Sequence, residues 1–139
     1  MGSVAARQRQ ILQTPARTRE QFIARIQKGL PAAALARVVE LGLDKSLVYG
    51  LIGSRSTLER RRKAGQLLAV EESDRLARIA ELVALAEQVF GDRQRALAWL
   101  QRESVDLAGQ GAPLRLVATS QGTELVRERL EQIRDGIYA

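Results

Sequence analysis

The chain has 139 residues, enough for one domain or two small ones sharing a core, and its composition of 45% apolar and 27% charged residues is that of a globular protein. It contains no cysteine and no histidine, which excludes disulfides and thiolate metal sites and removes the commonest bases and nucleophiles. The net charge of +6 is unevenly placed: residues 1–70 hold 13 Lys/Arg against 4 Asp/Glu, a net +9, and residues 71–139 hold 9 against 12, a net −3.

Residues 1–17 carry Arg7, Arg9 and Arg17 without apolar periodicity and read as a flexible basic arm. Thr18 and Gln21 stand at capping-box spacing, and Phe22, Ile23, Ile26 and Leu30 then repeat at helical intervals up to Gly29-Leu30. Pro31 suits the first turn of a second helix, striped by Leu35, Val38, Val39 and Leu41. Gly42 permits a turn, and Asp44 is placed to cap a third, short helix that buries Leu47, Val48, Leu51 and Ile52. Two short helices joined by a glycine-centred turn match a helix-turn-helix, whose second member offers its outer face to a DNA groove. That face would carry Lys45, Ser46 and Tyr49, with Arg55 just beyond.

Ser56 and Glu59 form a second capping-box pair, opening a helix that contains Arg60, Arg61, Arg62 and Lys63. Four successive cations point around most of a helix, so only some can face one phosphate backbone; Arg60 and Arg61 are the candidates. The helix-turn-helix unit is expected over 18–68 and a second helical unit over 69–139. From Glu71 to Phe90 the longest helix has two apolar flanks, one of Leu76, Ile79, Val83, Ala86 and Phe90, the other of Leu82, Leu85 and Val89. The second flank is expected to pair with another copy of the chain, giving a homodimer through Leu82, Leu85 and Val89.

Gly91 ends that helix and Asp92 caps the next, which carries Ala96, Trp99 and Leu100 on one side. A single tryptophan is costly to leave in water, so Trp99 reads as the anchor of a core or an interface. A loop over 103–112 precedes a short helix from Pro113 to Ala118. Residues 119–122 read as a turn, and Thr123 to Asp135 as the last helix, with Val126, Leu130 and Ile133 inward and Gly136 ending it. No segment reads as a strand, so the fold expected is all-α. No apolar run reaches the ~18 residues of a membrane span, and the polar start lacks a secretory leader, so a cytoplasmic protein is expected. No combination of side chains suggests catalysis, a metal or a cofactor. The residues alone leave open a stand-alone DNA-binding regulator and a helical adaptor.

The order and spacing of Val89-Phe90-Gly91-Asp92, Ala96, Trp99-Leu100, Leu107-Ala108-Gly109, Pro113-Leu114, Thr119, Gly122, Val126, Leu130, Ile133 and Gly136 add a further constraint. Together with Leu58-Glu59-Arg60-Arg61 and Glu72-Ser73-Asp74-Arg75, they resemble the Xre/ParS/MbcA family of bacterial antitoxins, from about Leu30 to the C-terminus. The chain departs from the family pattern at Glu103-Ser104-Val105, where a proline is common, and at Ala108-Gly109, where a glycine pair is usual. The resemblance implies an antitoxin, not an enzyme: an Xre-like helix-turn-helix bundle followed by a toxin-binding helical domain. It implies a RES-domain toxin as partner, acting on NAD by degradation or by ADP-ribosylation, and a C-terminal segment that enters the toxin's active site. Carried onto this sequence, the toxin-binding residues are Arg134, Gly136, Ile137, Tyr138 and Ala139. Operator DNA and a higher-order toxin–antitoxin complex are the other partners implied.

Overall fold

A computed structural model describes residues 2–104, 107 and 111–137, and among them the regular structure is helical throughout. The elements are α1 (Val4–Leu12), α2 (Arg19–Lys28), α3 (Ala33–Val39), α4 (Lys45–Ile52), α5 (Arg55–Lys63), α6 (Val70–Phe90), α7 (Arg93–Gln101), a 3-10 helix (Pro113–Ala118) and α8 (Ser120–Arg134). The aromatic content of 4% leaves the core to aliphatic side chains, and a single cluster of Leu, Val, Ile and Ala runs through both halves of the chain.

The central element is α6. Its 21 residues lie among α1, α2, α4, α7, the 3-10 helix and α8, and both of its apolar flanks are covered by the same chain. Leu76, Ile79 and Val83 are fully buried on one flank. Leu82 and Leu85, expected at a dimer interface, are 0% and 4% exposed, and Val89 packs half-buried against the core. This corrects the homodimer expectation at those residues. The reading of two buried flanks was sound, but the chain's own helices cover the second.

The segment expected as a flexible arm instead forms α1, which packs on α6. Ser3 Oγ accepts the Ala6 N–H at 3.0 Å and starts the helix. Val4, Ile11 and Leu12 lie seven and eight residues apart, so they share one face, and Ile11 and Leu12 are buried. Arg7 donates twice to the Glu87 carboxylate, at 2.8 and 3.0 Å. Gln8 Nε2 donates to the Ala77 carbonyl at 2.8 Å, and Gln88 Nε2 to the Gly2 carbonyl at 3.0 Å. Together these bonds lay α1 antiparallel along α6.

Local capping follows the sequence at most helix starts. Thr18, Asp44 and Asp92 accept the N–H groups of Gln21, Leu47 and Arg95 at 3.1, 2.9 and 2.9 Å. Ser56 differs: α5 begins at Arg55 after Ser54, so Ser56 lies inside the helix and Glu59 is free to face other elements. The last helix also begins earlier than expected. Thr119 accepts the Gly122 N–H at 2.9 Å and α8 starts at Ser120.

The start of α6 is tied to its neighbours through Glu72-Ser73-Asp74-Arg75, three of whose side chains hold other segments while Asp74 pairs along α6 itself. Glu72 takes the Arg61 guanidinium of α5 and the Ala69 N–H. Ser73 Oγ, wholly buried, accepts the Leu30 N–H at 2.8 Å. Asp74 pairs with Arg78, which also donates to the Val117 carbonyl at 3.1 Å. Arg75 donates to the Ile52 carbonyl at the end of α4, at 3.2 Å.

Candidate functional site

The candidate residues lie on two surfaces. The first surrounds α4. Lys45 and Ser46 are exposed on its opening turn, as the sequence predicts. The Tyr49 ring is 2% exposed, with Lys45 Nζ 5.3 Å and the Arg55 guanidinium 5.8 Å from its centroid. Tyr49 is therefore a platform that holds cations in place, which corrects its expected role as an exposed reading residue. Arg55 also reaches Ser46 Oγ at 3.5 Å.

Glu59 organises these cations from α5. Its carboxylate accepts from Arg62 Nη2 at 2.9 Å and lies 3.5 Å from Lys45 Nζ. The Arg62 hydrogen bond first, and Tyr49 second, hold the Glu59 carboxyl down at about 2. Burial, reinforced by the Glu59 carboxylate, raises the Tyr49 phenol above its ordinary value. The partnership with Arg62 sits at helical i,i+3 spacing and is legible in the sequence; those with Lys45 and Tyr49 cross between helices and are not. Arg60 is exposed beside this cluster. Arg61, also expected at DNA, is half-buried in its ion pair with Glu72, so its charge is taken up at the start of α6. A groove of about 290 Å³ runs between α3, α4 and α5, with Glu40, Lys45, Tyr49 and Arg62 in its wall.

The second surface is the C-terminal end of α8. Arg127 grips Glu81 through two bonds of 2.9 Å and fixes α8 on α6. Val126 and Leu130 are buried beneath, while Ile133 is only partly covered. At the end of α8 the Ile137 N–H donates to the Gln132 carbonyl at 2.9 Å and the Gly136 N–H to Ile133 at 3.1 Å. Gly136 has φ +80°, the left-handed conformation that this paired closure requires. The closure sets the direction in which the chain leaves the helix. Arg134 is exposed there, 3.5 Å from Asp135, and Ile137 is 66% exposed. Tyr138 and Ala139 lie outside the described residues. Among the described residues no three His, Cys, Asp or Glu side chains gather as metal ligands would, and no helix is long and apolar enough to cross a membrane.

An all-α chain with a cation-bearing helix-turn-helix, spliced to a helical unit that ends in an exposed apolar residue, has the form of a regulatory protein that binds other macromolecules. Comparison with known proteins makes this specific. Residues 21–81 match the antitoxin Xre-like helix-turn-helix domain, and residues 85–136 match the antitoxin Xre/MbcA/ParS C-terminal toxin-binding domain. The chain is 38% identical over 112 residues to the Antitoxin Xre of Pseudomonas putida, covering 81% of this chain and 70% of that protein. It is 27% identical over 125 residues to the Prs ADP-ribosylating antitoxin of a Sphingobium species, covering 82% of this chain and 78% of that protein. The chain belongs to the Xre/MbcA/ParS antitoxin family and is an antitoxin of a toxin–antitoxin system. The two matched domains meet inside α6, so a single helix serves both.

Proposed function

We propose that this antitoxin, acting in the cytoplasm and without catalysis of its own, silences a RES-domain toxin that consumes NAD by inserting its C-terminal segment, Gly136 to Ala139, into the toxin's active site. The observation that carries this reading is the end of α8: the match to the toxin-binding domain stops at Gly136, where the helix closes and Ile137 is left 66% exposed. An exposed isoleucine followed in sequence by a tyrosine offers the chemistry a nucleotide cleft accepts, apolar surface and an aromatic plane carrying a hydroxyl. Arg134 and the end of α8 supply the surrounding contacts. The name of the Sphingobium relative ties that protein to ADP-ribosylation, a reaction that, like NAD hydrolysis, breaks the nicotinamide glycosidic bond of NAD.

In the same reading the antitoxin represses its own operon through Lys45, Ser46, Arg55 and Arg60, placed around the Tyr49 platform. Two copies on a two-fold operator would meet through a face other than Leu82 and Leu85, and the toxin would join them in a larger complex. The test is co-expression with the protein encoded beside it. Cellular NAD is expected to fall when that neighbour is induced alone and to stay at the uninduced level when this chain is present. An unchanged NAD pool on inducing the neighbour alone would refute the NAD-consuming partner.

A further inference from the structure

The turn between α3 and α4 is held from the C-terminal unit by side chains of α7. Gln101, the last residue of α7, accepts the Asp44 backbone N–H on Oε1 at 2.8 Å. Its Nε2 donates to the Gly42 carbonyl at 3.4 Å and to the Leu97 carbonyl of its own helix at 3.2 Å. Leu97 packs on the same turn, close enough that a Cβ on Gly42, already at φ +121°, would come within 2.9 Å of its Cδ1. Asp44 is in turn the cap of α4, its carboxylate accepting the Leu47 N–H at 2.9 Å. The residue that starts the proposed DNA-reading helix is thereby hydrogen-bonded to the unit matched as toxin-binding.

We propose that Gln101 is a positioning residue for DNA recognition: it fixes the start of α4, so that sequence discrimination depends on the C-terminal unit. The proposal rests on the assignment of α4 as the DNA-reading helix. Gln101 is uncharged and bonds the backbone of the turn, so its loss leaves the charges that meet phosphates in place. It changes the angle at which α4 presents Lys45 and Ser46. Discrimination between sequences responds to that angle, whereas general phosphate affinity responds to the charges.

The experiment compares the full chain with Gln101→Met, Gln101→Asn and the exposed-neighbour control Arg102→Ala. Binding is measured to the duplex immediately upstream of the coding sequence and to a shuffled duplex of equal length and composition. Hydrogen exchange of the Asp44 and Leu47 amides is followed in parallel. Both Gln101 variants are expected to lose roughly tenfold in preference for the upstream duplex, the scale of one or two neutral hydrogen bonds, with affinity for the shuffled duplex unchanged. Exchange at Asp44 and Leu47 is expected to quicken, and Arg102→Ala, which removes one exposed charge, to keep the parent's preference between the duplexes and its exchange rates. A parent that discriminates beside variants that discriminate equally well, or variants that weaken on both duplexes alike, would overturn the role of Gln101 while sparing the assignment of α4. A parent that shows no preference at all would overturn both.

Discussion

Ser73 shows how much one side chain can hold in this fold. It is wholly buried, and its hydroxyl is the acceptor for the Leu30 N–H as the chain passes from α2 to α3. Ser73→Ala leaves that buried N–H without a partner, and a loss of about 1–3 kcal/mol is expected in urea unfolding, the cost of an unsatisfied buried donor. Glu59 governs the acid limb of stability. A carboxyl held at about 2, below its ordinary 4.5, contributes stability that is complete above the ordinary value and is lost as pH falls from there through about 2. The parent's melting temperature should therefore fall more steeply than that of Glu59→Gln between pH 5 and pH 2; parallel curves would show that the Glu59 cluster adds nothing to folding. The caps at Thr18, Asp44 and Asp92 were legible because a cap needs only its own next turn. Ser56 misled because Ser54 stands two residues earlier and the helix starts from it. Tyr49 misled because its ring, at helical spacing from the exposed Lys45 and Ser46, turns into the core beneath them.

At the scale of elements, the helices with strong apolar stripes were readable and α1 was not. Its anchors are polar and distant: Arg7 finds Glu87 at a separation of 80 residues, and nothing in the local sequence marks that partner. Two apolar flanks on one helix invite a second copy, and the cover for both lies within the chain. Leu82→Ala decides the point. As a core position it should lose about 2–5 kcal/mol, and the loss should be the same at every protein concentration. A loss that grows on dilution would restore Leu82 to an interface between copies.

At the scale of the whole molecule, α6 joins the two matched domains as one continuous helix: Glu72, Ser73 and Arg75 fix α5, the Leu30 segment and α4 around it, and Arg78 holds the 3-10 helix. The division of charge between a basic front half and a mildly acidic back half was visible in composition, and the family resemblance gave each half its role. The residues expected to block the toxin were set by that resemblance. The physics of the chain adds the closure at Gly136, which gives the segment beyond it a defined starting direction. The most direct measurement of the central claim is a titration of the purified cognate toxin, read as NAD consumption, with the full chain and with a chain lacking residues 137–139. The full chain should abolish consumption at stoichiometric amounts, and the shortened chain, equally folded by its thermal melt, should leave most of it. Equal inhibition by both would contradict the account.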